Sequence, residues 1–442
     1  MRFFHAAASV LTLALAAQSV AAEDAATRKA IEAEYDNYLA PLFLDFHQNP
    51  EMGFLENRTA AKMAAELRAA GLEVTTGVGK TGVVGILKNG EGPLILLRAD
   101  MDGLPVEEKT GLAYASKAKQ IGEDGKEYPT MHACGHDTHI TSMVGTARRL
   151  AAMKDKWSGT LMFVVQPAEE GVRGAKAMME DGLYQRFGKP DYALAFHVAA
   201  ELETGKVSAS EGIQYSSSDS LDIRVPGIGT HGAAPHLGRD PVYIASQIVT
   251  ALQSIDSREI GPLTPVVVTV GSFHAGSKHN IISDEAMLQV TVRANDEETR
   301  EQVIATISRI AVNIGKAHGL PDNLPVEVKR LSGTPTTNND PVLARRLNAV
   351  MQRELGAEAV VPFQQKNMGA EDFTYFVAAN TGVPGYYFAV GGTTPERIAA
   401  AMAGGPPIAG HHSPLFQIAP RESIVLGTRA MVAAVLDLAP AK

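Results

Sequence analysis

The chain has 442 residues, of which 45% are hydrophobic and 20% charged, with a formal net charge of -9 and a mean hydropathy near zero. That length exceeds one ordinary hydrophobic core, so two domains are expected, and the composition is that of a water-soluble globular protein rather than a disordered or membrane-embedded one. The acidic balance, with no run of Lys or Arg to neutralise phosphates, excludes nucleic acid as a partner.

Taken in chain order, the first segment reads as a secretory signal over residues 1–22. Arg2 gives a positive start, Ala6 to Ala17 an apolar stretch, and Ser19-Val20-Ala21-Ala22 small residues for cleavage. The apolar stretch is shorter than the roughly 20 residues of a spanning helix. The expected product is periplasmic or secreted, with no membrane association after cleavage. Cys134 is the lone cysteine, so no intramolecular disulfide forms. In an oxidising compartment such a thiol must be buried as a small apolar group or occupied.

From Thr27 to Gly71 the pattern is helical, with Ala60, Met63, Ala64 and Leu67 at three- and four-residue spacing. Short apolar runs, Val83 to Leu87 and Leu94 to Leu97, then predict strands buried on both faces. A helix follows Asp137, then a strand over Leu161 to Val165, a helix over Ala175 to Met179, and a strand over Tyr192 to Phe196. This alternation predicts an α/β catalytic domain with a mixed, largely parallel sheet flanked by helices, over residues 23–214. From 215 to 332 the order changes to βαββαβ: strand Leu221 to Val225, helix Pro241 to Ile255, strands Val266 to Val270 and Met287 to Val292, helix Glu297 to His318, and a strand near Val326. That order predicts a ferredoxin-like inserted domain. Over 333–442 the catalytic domain resumes, with helices at Val342 to Leu355 and Ile424 to Leu436.

The run Met131-His132-Ala133-Cys134-Gly135-His136-Asp137-Thr138-His139 puts a thiol, three imidazoles and a carboxylate at the mouth of a helix. Cys134 and His136 flank a glycine, and thiolate and imidazole suit the same borderline metals. His139 is equally suited to buried support and is left out of the ligand set. Asp100 and Asp102 follow a strand, where a carboxylate can accept the free N–H of a ligand histidine and fix its tautomer. Glu169 and Glu170 follow the strand ending at Val165. On an extended backbone their side chains point apart, so one is expected to coordinate while the other serves as general base. His197 follows the next strand, and His411-His412-Ser413-Pro414 lies in a late loop. Asp100, Glu170 and His197 all fall at the carboxyl ends of predicted strands, where open α/β sheets place their sites.

These residues, with Leu97-Arg98-Ala99-Asp100-Met101-Asp102-Gly103-Leu104-Pro105, Gln166-Pro167-Ala168-Glu169-Glu170-Gly171, Gly229-Thr230-His231-Gly232-Ala233-Ala234-Pro235-His236, Ala370-Glu371-Asp372-Phe373 and His412-Ser413-Pro414, resemble the amidohydrolase branch of the aminoacylase and carboxypeptidase-G metallopeptidase family. That branch includes hippurate hydrolases and plant hydrolases of indole-acetyl amino acids. The resemblance implies a catalytic domain interrupted by a lid that also pairs subunits, giving a homodimer or higher homo-oligomer. It implies two divalent ions, Mn²⁺ or Zn²⁺ foremost with Ni²⁺ and Co²⁺ compatible. Cys134 would bridge them, with His136 and His197 on one and Glu170 and His412 on the other. Glu169 would be the general base, Asp100 support behind the ligands, and His231 the stabiliser of the oxyanion. Asn280 and Arg293 would meet the substrate's polar end. The doublet His411-His412 leaves the ligand ambiguous, and the Ser-Pro spacing favours His412. Peptidases of the wider family carry a histidine ligand where this chain has Arg98, so His136 is expected to fill that place. The implied activity is cleavage of small N-acyl amino acids by metal-activated water. A carboxypeptidase or dipeptidase is the alternative within the family. A metal-containing binding protein is the alternative outside enzymes, against which stands a glutamate placed as a base.

Overall fold

The computed structural model describes residues 25–442, so the expected signal segment, residues 1–22, lies outside the described residues. Among the described residues no helix is long and apolar enough to cross a membrane.

The chain divides into two compact units. The first takes in the described residues up to Gly212, with Asn339–Phe363 and Thr381–Lys442. Its sheet has eight strands. In spatial order they are Glu73–Val78, Gly82–Asn89, Gly159–Gln166, Leu94–Asp100, Tyr192–Glu203, Gly385–Thr393, Val207–Ser208 and Val360–Val361. The four central strands, from Gly159–Gln166 to Gly385–Thr393, run parallel. Three of them are almost wholly buried and the fourth, Tyr192–Glu203, is buried from Ala193 to Val198, as expected of strands covered by helices on both sides. The alternation of strand and helix thus produces the largely parallel sheet. The strand Gly385–Thr393, with Tyr386, Tyr387 and Phe388 fully buried, is an addition to the predicted elements.

The expected continuous helical region breaks between the helices Ala40–His47 and Asn57–Ala69. Pro50 and Gly53 fall in the gap, where proline forces its predecessor out of the helical region and lacks a donor. The helix His136–Ala152 has Gly135 as its N-cap at φ +87°, and nearly every residue along it is buried. It packs between the sheet and the helix Pro420–Leu438 in the larger hydrophobic core.

The second unit takes in Ile213–Asn338 and Gln364–Asn380. The latter segment was expected to belong with the catalytic part; it clusters here because Thr337, Thr336 and Gly333 bond to Glu371, Thr374 and Tyr375. The strands Val266–Ala275, Glu285–Ala294, Ser218–Pro226 and Glu327–Thr334 form one antiparallel sheet in that order. The helices Pro241–Leu252 and Glu297–Ala317 pack on it, completing the βαββαβ arrangement. Asp240 and Asp296 cap these helices by accepting from backbone N–H groups of Val242 and Thr299. Leu221, Ile223 and Val225 alternate with more exposed neighbours along their strand and form a core with Ile244, Ile248, Val303 and Ile307.

Candidate metal centre

Five segments of the first unit, carrying Asp100, Cys134 with His136, Glu169 with Glu170, His197 and His412, deliver side chains to one place. The strand Leu94–Asp100 ends on Asp100. The strand Gly159–Gln166 runs into a tight turn, in which Ala168 takes φ +48° and Val172 φ +53°. Gly135, in the left-handed region, turns the chain between Cys134 and His136. His197 departs from expectation: it lies inside the strand Tyr192–Glu203 rather than after it. It is nonetheless two residues beyond the last pairing of that strand with the Asp100 strand, Arg98 with Ala195, so it lies where the ladder between the two has ended, level with Asp100.

The donor atoms of Cys134, His136 and His197 lie within 4.8 Å of one another, as do those of Cys134, Glu170 and His412, and those of His136, Glu169 and Glu170. Cys134 Sγ is 3.3 Å from His197 Nε2. His412 Nε2 is 3.1 Å from Glu170 Oε2, and the His412 backbone N–H donates to the Ala133 carbonyl at 2.8 Å. His411 has Nδ1 3.6 Å from Cys134 Sγ, while its Nε2 accepts from the Ala200 N–H at 3.4 Å. His412 therefore faces Glu170, and His411 is turned toward the backbone of Ala200.

The premise of an extended backbone at Glu169-Glu170 does not hold. Both residues sit in the turn opened by Ala168, and both carboxylates reach His136. Glu169 Oε2 is 3.8 Å from His136 Nε2. The support expected of Asp100 is also distributed differently. His136 Nδ1 donates to the Asp102 carbonyl at 2.8 Å, with Asp102 Oδ1 3.2 Å away, and Asp102 Oδ2 accepts the Glu170 N–H at 3.0 Å. Asp102 thus orients two members of the cluster. Its place two residues past Asp100, on the same face of an extended chain, was the signal for it. Asp100 accepts from His139 Nδ1 at 2.5 Å and from Arg98 at 2.6 Å. His139 Nε2 accepts the Val198 N–H at 2.9 Å, so both its nitrogens are committed and it is buried support.

After these bonds, His136 Nε2 and Glu170 Oε1 remain buried with no hydrogen-bond partner, an arrangement that costs free energy unless something else satisfies them. Burial, together with Glu170, Glu169, Asp100 and Asp102, pushes the Cys134 thiol well above its ordinary pKa. Burial disfavours charge on His136, but Asp100 and Asp102 outweigh it and push its pKa up to about 10. Burial likewise opposes charge on Glu170, yet His412 and His136 hold it below the usual carboxylate range. The cluster is rich in anions and short of cations. A thiol, imidazoles and carboxylates with two orphaned buried donor atoms fit divalent metal ions.

His231, Asn280 and Arg293 lie in the second unit. His231 is exposed on a two-residue strand paired with Ile281–Ile282, and its Nδ1 accepts the Ala233 N–H at 3.0 Å. The Asn280 carbonyl accepts the Gly232 N–H at 2.8 Å, while its side-chain Oδ1 is buried without a partner. Arg293 is half-buried on the strand Glu285–Ala294, and burial lowers its pKa despite nearby Asp219.

Residues 96–403 match the model of peptidase family M20/M25/M40. The chain is 43% identical over 296 residues to a hippurate hydrolase of Campylobacter jejuni, covering 66% of this chain and 73% of that protein. It is 36% identical over 347 residues to a thermostable carboxypeptidase of Saccharolobus solfataricus, covering 75% and 84%. A dinuclear metal-binding M20 peptidase from Bacillus subtilis superposes with a TM-score of 0.73 at 28% identity, covering 92% of this chain and 98% of that one. The chain belongs to peptidase family M20/M25/M40 and is an amide-bond hydrolase of that family.

Proposed function

We propose that the protein is an exported amidohydrolase that cleaves small N-acyl amino acids with two divalent ions. One observation carries the metal reading: the two triads Cys134, His136, His197 and Cys134, Glu170, His412 share Cys134, as a bridging ligand between two ions requires. Ions bound there would polarise the amide carbonyl and lower the pKa of water. Glu169, beside both triads, takes the proton of the attacking water and returns it to the leaving amine. Asp102 holds the ring of His136 in the tautomer that leaves Nε2 as the donor to a metal. The hydrolase of hippurate, itself benzoylglycine, supports an N-acyl amino acid as substrate.

The oxyanion role of His231 and the substrate roles of Asn280 and Arg293 belong to the same proposal. Asn280 Oδ1 lacks a partner, and the half-buried guanidinium of Arg293 suits a bidentate contact with a carboxylate. Pairing of subunits is proposed through the second unit. Its sheet ends on the strand Val266–Ala275, ten residues long and bonded on one side to Glu285–Ala294 among the described residues. A long β-branched edge is a template for a second copy. Export rests on the residue pattern of 1–22 and is checked by sequencing the mature N-terminus.

The functional test is Glu169→Gln, which is expected to abolish turnover of hippurate-like substrates while leaving bound metal at the wild-type level. Unchanged turnover would remove Glu169 as the base. The similarity to a carboxypeptidase favours a second reading, cleavage of peptides. Release from hippurate against release from simple dipeptides separates the two, and activity on dipeptides alone would reject the first.

A further inference from the structure

The turn that carries Glu169 and Glu170 is held by a buried carboxylate on a different segment. Glu56 precedes the helix Asn57–Ala69 but does not cap it. That task falls to Glu51, whose carboxylate accepts from the N–H groups of Arg58 and Thr59. Glu56 is instead fully buried. Its Oε1 accepts the Ala168 N–H at 2.8 Å, and its Oε2 accepts the Thr81 hydroxyl at 2.5 Å. Burying an anion beside Asp102 is costly: burial first, then Asp102, pushes the Glu56 pKa up to about 7.

The surroundings of this bond are strained. Five non-glycine residues have positive φ among the described residues: Phe54, Lys80, Ala168, Val172 and His412. The first four gather at this clamp. Lys80 Nζ lies 3.9 Å from the centroid of the Phe54 ring, and the Arg173 guanidinium lies 5.1 Å from it. A Cβ on Gly53 would meet Ala168 Cα at 2.9 Å, and one on Gly174 would meet the Pro167 carbonyl oxygen at 1.5 Å. Left-handed alanine, phenylalanine, valine and lysine are each strained and persist when neighbours over-determine them.

We infer that Glu56, with Thr81 behind it, is a positioning residue that fixes the Ala168 turn and thereby aims the Glu169 carboxylate. This rests on Glu169 being the base. The chain of contact runs from Thr81 to Glu56, from Glu56 to the Ala168 N–H, and from Ala168 to the residue that follows it. Without the carboxylate, the Ala168 N–H is buried unpaired and the turn relaxes toward an ordinary conformation.

The test compares Glu56→Ala, Glu56→Gln and Thr81→Val in the metal-loaded full chain, with hippurate as the probe and metal content and melting temperature measured alongside. Glu56→Ala is expected to lower kcat about 10- to 100-fold with KM changed less than about threefold and both ions retained. Glu56→Gln keeps an acceptor for Ala168 and is expected to recover most of that loss. Thr81→Val, which leaves the turn's own bonds in place, is expected to lower kcat by a smaller factor of about three to ten. Wild-type kcat in both Glu56→Ala and Thr81→Val overturns the inference, as does a loss that tracks only melting temperature or metal content. Should Glu56→Ala fail to fold, Thr81→Val and Glu56→Gln decide it. A fully active Glu169→Gln removes the base assignment instead, whatever Glu56 does.

Discussion

Adding one methyl group at Gly135 is expected to damage the site out of proportion to its size. The residue separates Cys134 from His136 and sits at φ +87°. A Cβ there would lie 2.4 Å from Val198 Cγ1 and 3.4 Å from Phe416 Cζ. Val198 is fully buried on the strand that carries His197, so it has little room to withdraw. The left-handed conformation alone costs alanine roughly 1–2 kcal/mol, and relieving the overlap brings the total to about 2–4 kcal/mol. Relief requires moving either the Cys134–His136 backbone or the His197 strand, and each carries a proposed ligand. Gly135→Ala should therefore lower metal affinity about 10- to 100-fold, as loss of an outer support does, on top of its effect on folding. Competition against a calibrated chelator gives the affinity, and urea unfolding of the metal-free chain gives the stability. A variant destabilised as stated but with wild-type metal affinity would falsify the link between this backbone position and the ligands.

Three further outcomes are expected. His47 bridges Asp137 at 2.7 Å and Glu108 at 3.3 Å; burial opposes its charge, but the two carboxylates push its pKa up to about 9 from an ordinary 6.5. Its contribution, about 3 kcal/mol at most, is fully present below pH 6.5 and is lost as pH rises toward 9. Chemical denaturation across that window should show the decline in wild type and a flatter profile in His47→Gln, and equal slopes would contradict the raised pKa. His412→Ala should reduce bound metal from two ions toward one while His411→Ala keeps two, by elemental analysis; the reverse pattern would exchange their roles. Removing the metals with a chelator should abolish hydrolysis and lower the melting temperature, and activity surviving complete removal would defeat the two-ion reading.

Much of the fold was legible because its elements have strong local signatures. The apolar runs at Leu94 to Leu97 and Leu161 to Val165 read as buried strands because they are too short for a helix, and the βαββαβ order of the second unit followed from its alternating periods. The strand Gly385–Thr393 was missed although Tyr386-Tyr387-Phe388-Ala389-Val390 is an unbroken apolar run bounded by glycines, which is itself a strand signal. The cluster itself could be read since Cys134, His136 and Glu170 stand near a helix start or a strand end and His197 near the end of a predicted apolar run, whereas His412 lies in a loop and was reached through the Ser-Pro spacing. What could not be read was orientation. Whether Glu169 and Glu170 diverge or converge depends on the φ of Ala168, which no residue type announces. The roles of Asp102 and Glu56 depend on which buried N–H each carboxylate finds across the fold.

Anomalous diffraction from crystals grown with zinc, recorded at the zinc edge, addresses the metal centre most directly. Two peaks are expected, both about 2.3 Å from Cys134 Sγ, one beside His136 and His197 and the other beside Glu170 and His412. A single peak, or none, with the Cys134 sulfur in contact with carbon alone, would contradict the two-ion centre and the chemistry built on it.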